Sequence, residues 1–490
     1  MPGAFTKFFA PFIRVMPEVK QPQREVSFKE KFVWTALVLI IYLIMSNIPL
    51  YGVQLEESTD YFYWLRVILA SQRGTLTELG IGPIVTSGLI MQLLLGSKLI
   101  NIDMADPYDR AMFTGAQKVL SVFLTMFNSI AYIIGGAFGR PADLGPENAF
   151  LIFVQLLFSG IVIILLDELL QKGWGLGSGV SLFIAAGVAG QIFWNSFSFI
   201  EAPGTPTLPR GIVIAFFYVL FDNDTTTNID DIFLRSAGLP SLLGVITTII
   251  IFMIVIWFES TRIEIPLQYA GYRGFQGKYP MKLLYVSNIP VILVNALYAN
   301  FLFFGQLIAG PNSGLRPQND FWLNLIGTFD APAAGEPGMG NYLKPTGGLI
   351  YLLTPPQGLE ELGADPLRAV IYLIIFIFLC IGLGRVWVEV AGLAPRDVAQ
   401  QIIDSGMQIP GFRRSEKIIE KILKRYIPTL IILNGIIIAC LSFFADSLGA
   451  LTSGTGLLIS IGIVHQYAET ISKEVAAEQY PSLRGFLGLD

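Results

Sequence analysis

LGIGPIVTSGLIMQLL, residues 79–94, is the stretch that decides how the chain folds. It holds no charge, yet Gly80, Gly82 and Pro83 at its head interrupt what would otherwise be a plain spanning helix. Proline removes a backbone donor and disfavours helix in the residue before it. The spacing therefore predicts a spanning helix that begins here, with the chain re-entering the bilayer inside a membrane-sized stretch. A related pattern, SNIPVILVNALYANFL, returns at 287–302, with a proline, two aliphatic residues and a polar residue further on. Two interrupted segments at matching places in two halves point to a pathway between inverted repeats.

The surrounding composition fits a membrane. The 490 residues are 53% hydrophobic and 14% charged, too apolar for an ordinary soluble enzyme. Windows free of Asp, Glu, Lys and Arg cover 32–55, 79–97, 119–139, 148–166, 173–200, 236–258, 283–315, 369–384, 426–445 and 447–468. Most exceed the roughly 20 residues that cross about 30 Å of hydrocarbon, and 369–384 reaches that length with Arg385 snorkelling. The pattern predicts an all-α polytopic protein of ten spans, five plus five in opposite orientation. Two shorter runs, 211–221 and 345–359, read as interfacial pieces of external loops. The first apolar run of spanning length starts after residue 30 and is long enough to remain a helix, so no cleavable signal peptide is expected. Cys380 and Cys440 fall inside spans and read as buried thiols.

The net charge of −5 conceals an asymmetry. Lys and Arg cluster at 1–31, 259–282 and 385–425, whereas acids outnumber them at 201–235 and 311–365. The positive-inside rule puts the basic segments, and with ten crossings both termini, in the cytoplasm. Residues 1–30 mix Phe5, Phe8, Phe9, Phe12 and Ile13 with Lys7 and Arg14, the pattern of an amphipathic helix on the cytoplasmic face. The first half then covers 31–200, an acidic external connection 201–235, the second half 236–470, and a cytoplasmic tail 471–490. Within 56–74, YFYWLRVILA (61–70) is helical in pattern, too short to cross, and carries Arg66. Such a segment lies at the outer surface or folds back into the interior.

Groups that do chemistry are scarce in the spans. His465 is the only histidine, and metal-ligand spacings, a Ser/His/Asp set and a Cys–His pair are missing. The glycine run in DELLQKGWGLGSG, which joins spans 4 and 5, does not match a phosphate loop. Asp167, Glu168 and Glu259 stand at span ends, where they read as snorkelling or loop carboxylates. An ion-coupled transporter holds its carboxylate near the midplane, though unwound carbonyls also bind sodium. A transporter with inverted repeats and a membrane scaffold both stay open beside a pathway lined with aliphatic side chains, which excludes water and ions by dewetting.

Six ordered segments carry a family resemblance. LGIGPIVTSGLIMQLL at 79, RAMFTGAQKVL at 110, LDELLQKGWGLGSGVSLFIA at 166, KYPMKLLYVSNIPVIL at 278, GFRRSEKIIEKILKRYIP at 411 and SGTGLL at 453 resemble SecY, the large subunit of the protein-conducting channel, in its archaeal and eukaryotic branch. The resemblance runs from about residue 20 to the end of span 10 and is weakest over 201–240 and 309–365. It implies two five-helix halves forming a clamshell around a pore, with no cofactor, metal or catalytic residue.

Matched residue by residue, the resemblance implies a pore ring of Ile81, Val85, Val180, Ile184, Ile292 and Ile459. It implies a plug within 56–74 containing Tyr61, Phe62, Trp64, Leu65, Arg66, Ile68 and Leu69. A lateral gate between spans 2–3 and 7–8 would carry Thr86, Gln117 and Asn300. Ribosome docking would fall to Arg273, Lys278, Arg413 and Arg414; read without the resemblance, those charges set topology. The implied partners are small gamma (SecE-type) and beta membrane subunits, a translating ribosome, signal sequences, nascent polypeptides and membrane lipid, with a homo-oligomer open. An archaeal cell membrane is favoured over the endoplasmic reticulum.

Overall fold

The computed structural model describes residues 4–479 apart from 25, 54–65, 67–68, 98, 101, 103–105, 140, 203–204, 222–231, 236–238, 270–275, 310–320, 331–343, 357, 405–406 and 409–414. Its frame is ten helices: span 1 Phe28–Asn47, span 2 Gly82–Gly96, span 3 Pro107–Gly135, span 4 Pro141–Leu169, span 5 Gly179–Phe197, span 6 Leu242–Ser260, span 7 Ile289–Ala309, span 8 Pro366–Val390, span 9 Glu416–Ser447 and span 10 Gly454–Gln479. Spans 3 to 9 are each long and apolar enough to cross a bilayer unaided. Phe123, Phe158, Met253, Trp257 and Phe378 on these helices face outward and exposed, which suits lipid and not water.

Local sequence sets the helix ends. Ser27 and Glu30 stand in capping-box spacing, and the Ser27 hydroxyl accepts from the Glu30 N–H at 3.4 Å. Span 3 starts with Asp106 accepting from the Tyr108 N–H at 3.0 Å, has Pro107 in its first turn, and stops at Gly136 with φ +82°. Span 4 breaks at Gly145 and ends in a π turn, Leu170–Trp174.

Span 2 is shorter than its apolar window. The stretch predicts a helix to about residue 100, but it ends at Gly96 after 15 residues, about 22 Å of rise. Its tail turns away at Ser97, where the N–H still bonds the Leu93 carbonyl, and Leu99 bonds back to Leu94. At the other end the chain is non-helical over 69–81 and the helix starts only at Gly82, so the interruption at Gly80–Pro83 is real.

Two seams join the halves. Span 2 packs against spans 7 and 8 on one side, and spans 1 and 5 pack against span 10 on the other. Spans 3 and 7 also meet through rings, with Tyr132 stacked on Phe303 at 5.1 Å between centroids and Phe127 tilted on Phe304 at 6.1 Å.

The basic segments read as loops have more structure than charge suggests. Arg262–Tyr269 and Gln276–Lys282 form an antiparallel hairpin, to which Met407–Gln408 adds a third strand. Its alternate residues Ile265 and Met281 are buried with Val398 and Ile402 of the short helix Pro395–Asp404 and with Ile419 and Leu423 of span 9. Span 9 therefore begins at Glu416, inside the segment read as a cytoplasmic loop.

The amino-terminal helix, Ala4–Val15, lies along span 3, with Ile13 close against Gly115. The chain after it is tied down by Lys172, which pairs with Glu18 at 2.5 Å, and by the Trp174 indole N–H, which donates to the Lys20 carbonyl at 2.8 Å. The hydrogen bond and charge of Lys172 hold the Glu18 carboxyl below the usual carboxylate range. Of the short external runs, Ile212–Phe221 is helical, and 345–359 contains the helix Gly348–Leu353.

Candidate functional site

The six aliphatic residues of the expected ring all belong to the main apolar core, which draws on spans of both halves. Ile81, Ile184 and Ile459 are fully buried, and Val85, Val180 and Ile292 are half-buried and packed on the same cluster. Two of the contributions, 81 with 85 and 180 with 184, are i,i+4 pairs, so each presents one helical face. Leu457 and Leu458 beside Ile459 are also buried.

The approach to Ile81 is the most tightly built part of the site. The Ile81 N–H bonds the Leu69 carbonyl at 2.8 Å, and the Tyr42 hydroxyl of span 1 donates to the Ala70 carbonyl at 2.6 Å. Gly80 sits at φ +52°, and a Cβ there would stand 2.1 Å from the Leu69 oxygen. Arg66 pairs with Glu78 at 3.0 Å with both side chains largely buried, and the Glu78 carboxylate also accepts from the Gly74 N–H. Leu50 and Leu76 exchange backbone bonds with Gly74 and Ile48, 2.8 and 3.1 Å long, which ties this segment to the end of span 1. Of the plug residues, Leu69 is thus bonded to the ring residue Ile81, and Arg66 is held by Glu78 in the same segment. Tyr61, Phe62, Trp64, Leu65 and Ile68 lie outside the described residues.

Gly80→Ala tests this junction. The strained φ and the contact with Leu69 predict a loss of about 2 kcal/mol or more, read as earlier thermal loss of the purified complex.

At the seam between the halves the Asn300 amide donates to the Thr86 hydroxyl at 3.1 Å and to its own helix at Ala296, 2.6 Å. Gln117 of span 3 lies against span 2, its amide nitrogen 3.1 Å from where a Cβ on Gly88 would sit. Thr86 and Asn300 thus meet across the seam, while Gln117 braces spans 2 and 3 from within one half. A contact missing from the sequence reading is the Ser87–Ser121 hydroxyl pair, 2.5 Å apart, which links the same two spans.

The remaining candidates distribute differently. Lys278 is exposed on the hairpin and pairs with Glu264, so its charge is shared. Arg273, Arg413 and Arg414 lie outside the described residues. The span-end carboxylates need correcting, because only a buried role fits them. Asp167 and Glu259 are buried, and Glu168 is clasped by Lys118 at 2.6 Å and Lys172 at 2.9 Å. Asp167 is satisfied by internal donors and Glu168 by two lysines, so neither reaches outward to water.

At the base of the hairpin, Glu469 at the end of span 10 takes Arg262 at 2.9 Å and Lys282 at 3.1 Å, one from each strand. His465 lies 3.4 Å from the same carboxylate, which makes it part of this cluster. Cys380 and Cys440 are free thiols. Among the described residues no cluster of His, Cys, Asp or Glu has the makings of a metal site.

Residues 75–468 match the family described as SecY, and residues 40–74 match the plug domain of Sec61p. A solved protein-conducting channel is 38% identical over 97% of this chain and 99% of that chain, with a TM-score of 0.78. Sec61 from the canine ribosome–channel complex of the endoplasmic reticulum is 36% identical over 97% and 99%, with a TM-score of 0.76. Yeast Ssh1, solved idle on the 80S ribosome, is 26% identical over 96% and 94%, with a TM-score of 0.74. The two family matches together cover residues 40–468, and by them the chain belongs to the SecY family.

Proposed function

We propose that this protein is the pore-forming subunit of a protein translocase, which conducts unfolded polypeptide across the membrane and releases apolar segments sideways into lipid. The observation that carries the reading is the full burial, in one apolar core, of Ile81, Ile184 and Ile459 from both halves, with the 69–81 segment bonded to Ile81 through the Leu69 carbonyl. An aliphatic constriction is dry when empty and soft enough to yield to a chain, and among the described residues no covalent or ionic link closes it. Residues 56–74 act as the plug and the seam of Thr86 with Asn300 as the lateral gate.

The chain supplies no catalysis of its own in this reading, so a partner must drive the substrate. A translating ribosome docks on the hairpin and the 385–425 segment, where exposed Arg and Lys meet RNA phosphates. Small gamma and beta membrane subunits complete the complex. Both termini face the cytoplasm, and the membrane is a cell membrane. The direct test is translocation of a signal-bearing, unfolded polypeptide into vesicles containing the purified complex. Protected full-length product supports the reading, and product only at the level of empty vesicles overturns it.

The gate makes a separate prediction. Leu at position 300 packs dry in the shut seam and is wetted by the opened channel, so Asn300→Leu tightens closure. A carboxylate there is costly to bury, so Asn300→Asp loosens it. In a series of signal sequences of rising leucine content, the first variant should need about one more leucine than wild type and the second about one fewer, since one buried methylene is worth about 0.8 kcal/mol.

A further inference from the structure

Below the constriction, on the side of the turn between spans 4 and 5, a second set of contacts is built around Asp167. The sequence LDELLQKGWGLGSG (166–179) puts this carboxylate near the end of span 4 and four glycines ahead of or at the start of span 5. Asp167 is only 6% exposed, and both of its oxygens are engaged. Oδ1 accepts from the Val180 N–H at 3.0 Å and from the Ser178 hydroxyl at 3.2 Å, and Oδ2 accepts from the Gln171 amide at 2.8 Å.

Two further spans hold the same turn. The Thr35 hydroxyl of span 1 accepts from the Leu176 N–H at 2.9 Å, and the Tyr467 hydroxyl of span 10 donates to the Ser178 carbonyl at 3.2 Å. The packing leaves no slack. A Cβ on Gly179 would stand 2.6 Å from the Asp167 Cα, and one on Gly177, at φ +69°, would stand 3.2 Å from the Tyr467 ring.

The first N–H groups of a helix lack partners within it, and a carboxylate commonly serves them. Here the carboxylate comes from a different helix. It therefore fixes span 5 against span 4 as well as starting it. Val180 donates the bonded N–H and is itself a ring residue, with Ile184 one turn further on. Sliding the start of span 5 by one residue would shift both side chains by about 1.5 Å and rotate them by about 100°, which takes them off the seam.

We propose that this three-sided grip, with Asp167 at its centre and Thr35 and Tyr467 at its flanks, positions the span 5 share of the constriction. The inference rests on the constriction reading above and adds to it a set of positioning residues remote from the polypeptide path.

The test is conductance per complex across a planar bilayer, measured for the purified complex carrying Asp167→Ala, Asp167→Asn or Ile184→Ser, alongside the amount of assembled complex. Asp167→Ala should raise conductance several-fold with the six ring residues unchanged. Asp167→Asn keeps an acceptor for the Val180 N–H and should stay near wild type. A purely structural role would lower the yield or thermal tolerance of Asp167→Ala while conductance per complex stays at background, and that result overturns the proposal. Should Asp167→Ala not accumulate, Thr35→Val combined with Tyr467→Phe removes the flanking bonds at nearly constant shape and is read the same way: raised conductance supports the grip, background overturns it. Ile184→Ser separates the two ideas. If it leaks and the grip variants do not, only the grip fails; if it too is silent, the constriction reading fails and takes the grip with it.

Discussion

Replacing Ile81, Val85 and Ile184 together with serine raises the ion conductance of the resting complex by about an order of magnitude or more. The expected size follows from how such a barrier works. A narrow aliphatic passage excludes ions because water will not fill it, and three hydroxyls supply the hydrogen bonds that let a water column form. Ile81 and Ile184 are fully buried and Val85 partly so, which means the substitutions act on the interior and not on lipid-facing surface. The measurement is single-complex conductance in a planar bilayer, with the signal-sequence requirement for translocation as a second readout that should relax in parallel. Conductance at background in an assembled triple variant would remove the basis for a dewetted pore.

The second large effect is expected from Glu78→Ala. Glu78 is 3% exposed, pairs with Arg66 and accepts from the Gly74 N–H. Removing one member of a buried pair typically costs about 3–5 kcal/mol, and here the Gly74 N–H loses its acceptor as well. Glu78→Gln keeps the shape and an acceptor for Gly74 while losing the charge, and should cost less. Thermal loss of the native complex ranks the two variants. If the 69–81 segment holds the plug in place, the alanine variant should also leak more than the glutamine variant. Equal stability in the two would show that the Arg66–Glu78 charge pairing contributes little.

Much of the fold was legible because lipid imposes a simple code. Charge-free windows, most of spanning length, marked the ten helices, and Gly80, Gly82 and Pro83 marked the interruption before span 2. Helix ends were less legible. The apolar residues Leu99 and Ile100 extend the window of span 2 beyond its actual end at Gly96, because hydrophobicity reports depth and not conformation.

The hairpin was missed for a different reason. RIEIPLQY (262–269) does alternate, with Ile263 and Ile265 turned towards the cluster shared with span 9, but Arg262, Lys278 and Lys282 drew the reading towards topology alone. The contact of Thr86 with Asn300 spans 214 positions of sequence, and no local pattern announces it. Only the family resemblance singled out those residues, as it did the six aliphatic ones. Asp167 was misplaced because a carboxylate at a span end, five residues before Lys172, looks solvated until the helix it serves is known to fold back onto it.

The seam between spans 2–3 and 7 joins one polar contact to a pair of aromatic ones, and its composition has a mechanical consequence for the proposed gate. Parting Tyr132 from Phe303 and Phe127 from Phe304 within the membrane exchanges ring-on-ring contact for ring-on-acyl-chain contact, which is close to neutral because hydrocarbon replaces hydrocarbon. Parting Asn300 from Thr86 costs on the order of 1 kcal/mol, and the Asn300 amide keeps its bond to Ala296 meanwhile. Neither latch is deep, so the two positions of the wall lie near balance. A passing helix tips that balance with the burial of a methylene or two, and the wall swings back without a fuel molecule once the helix has diffused away.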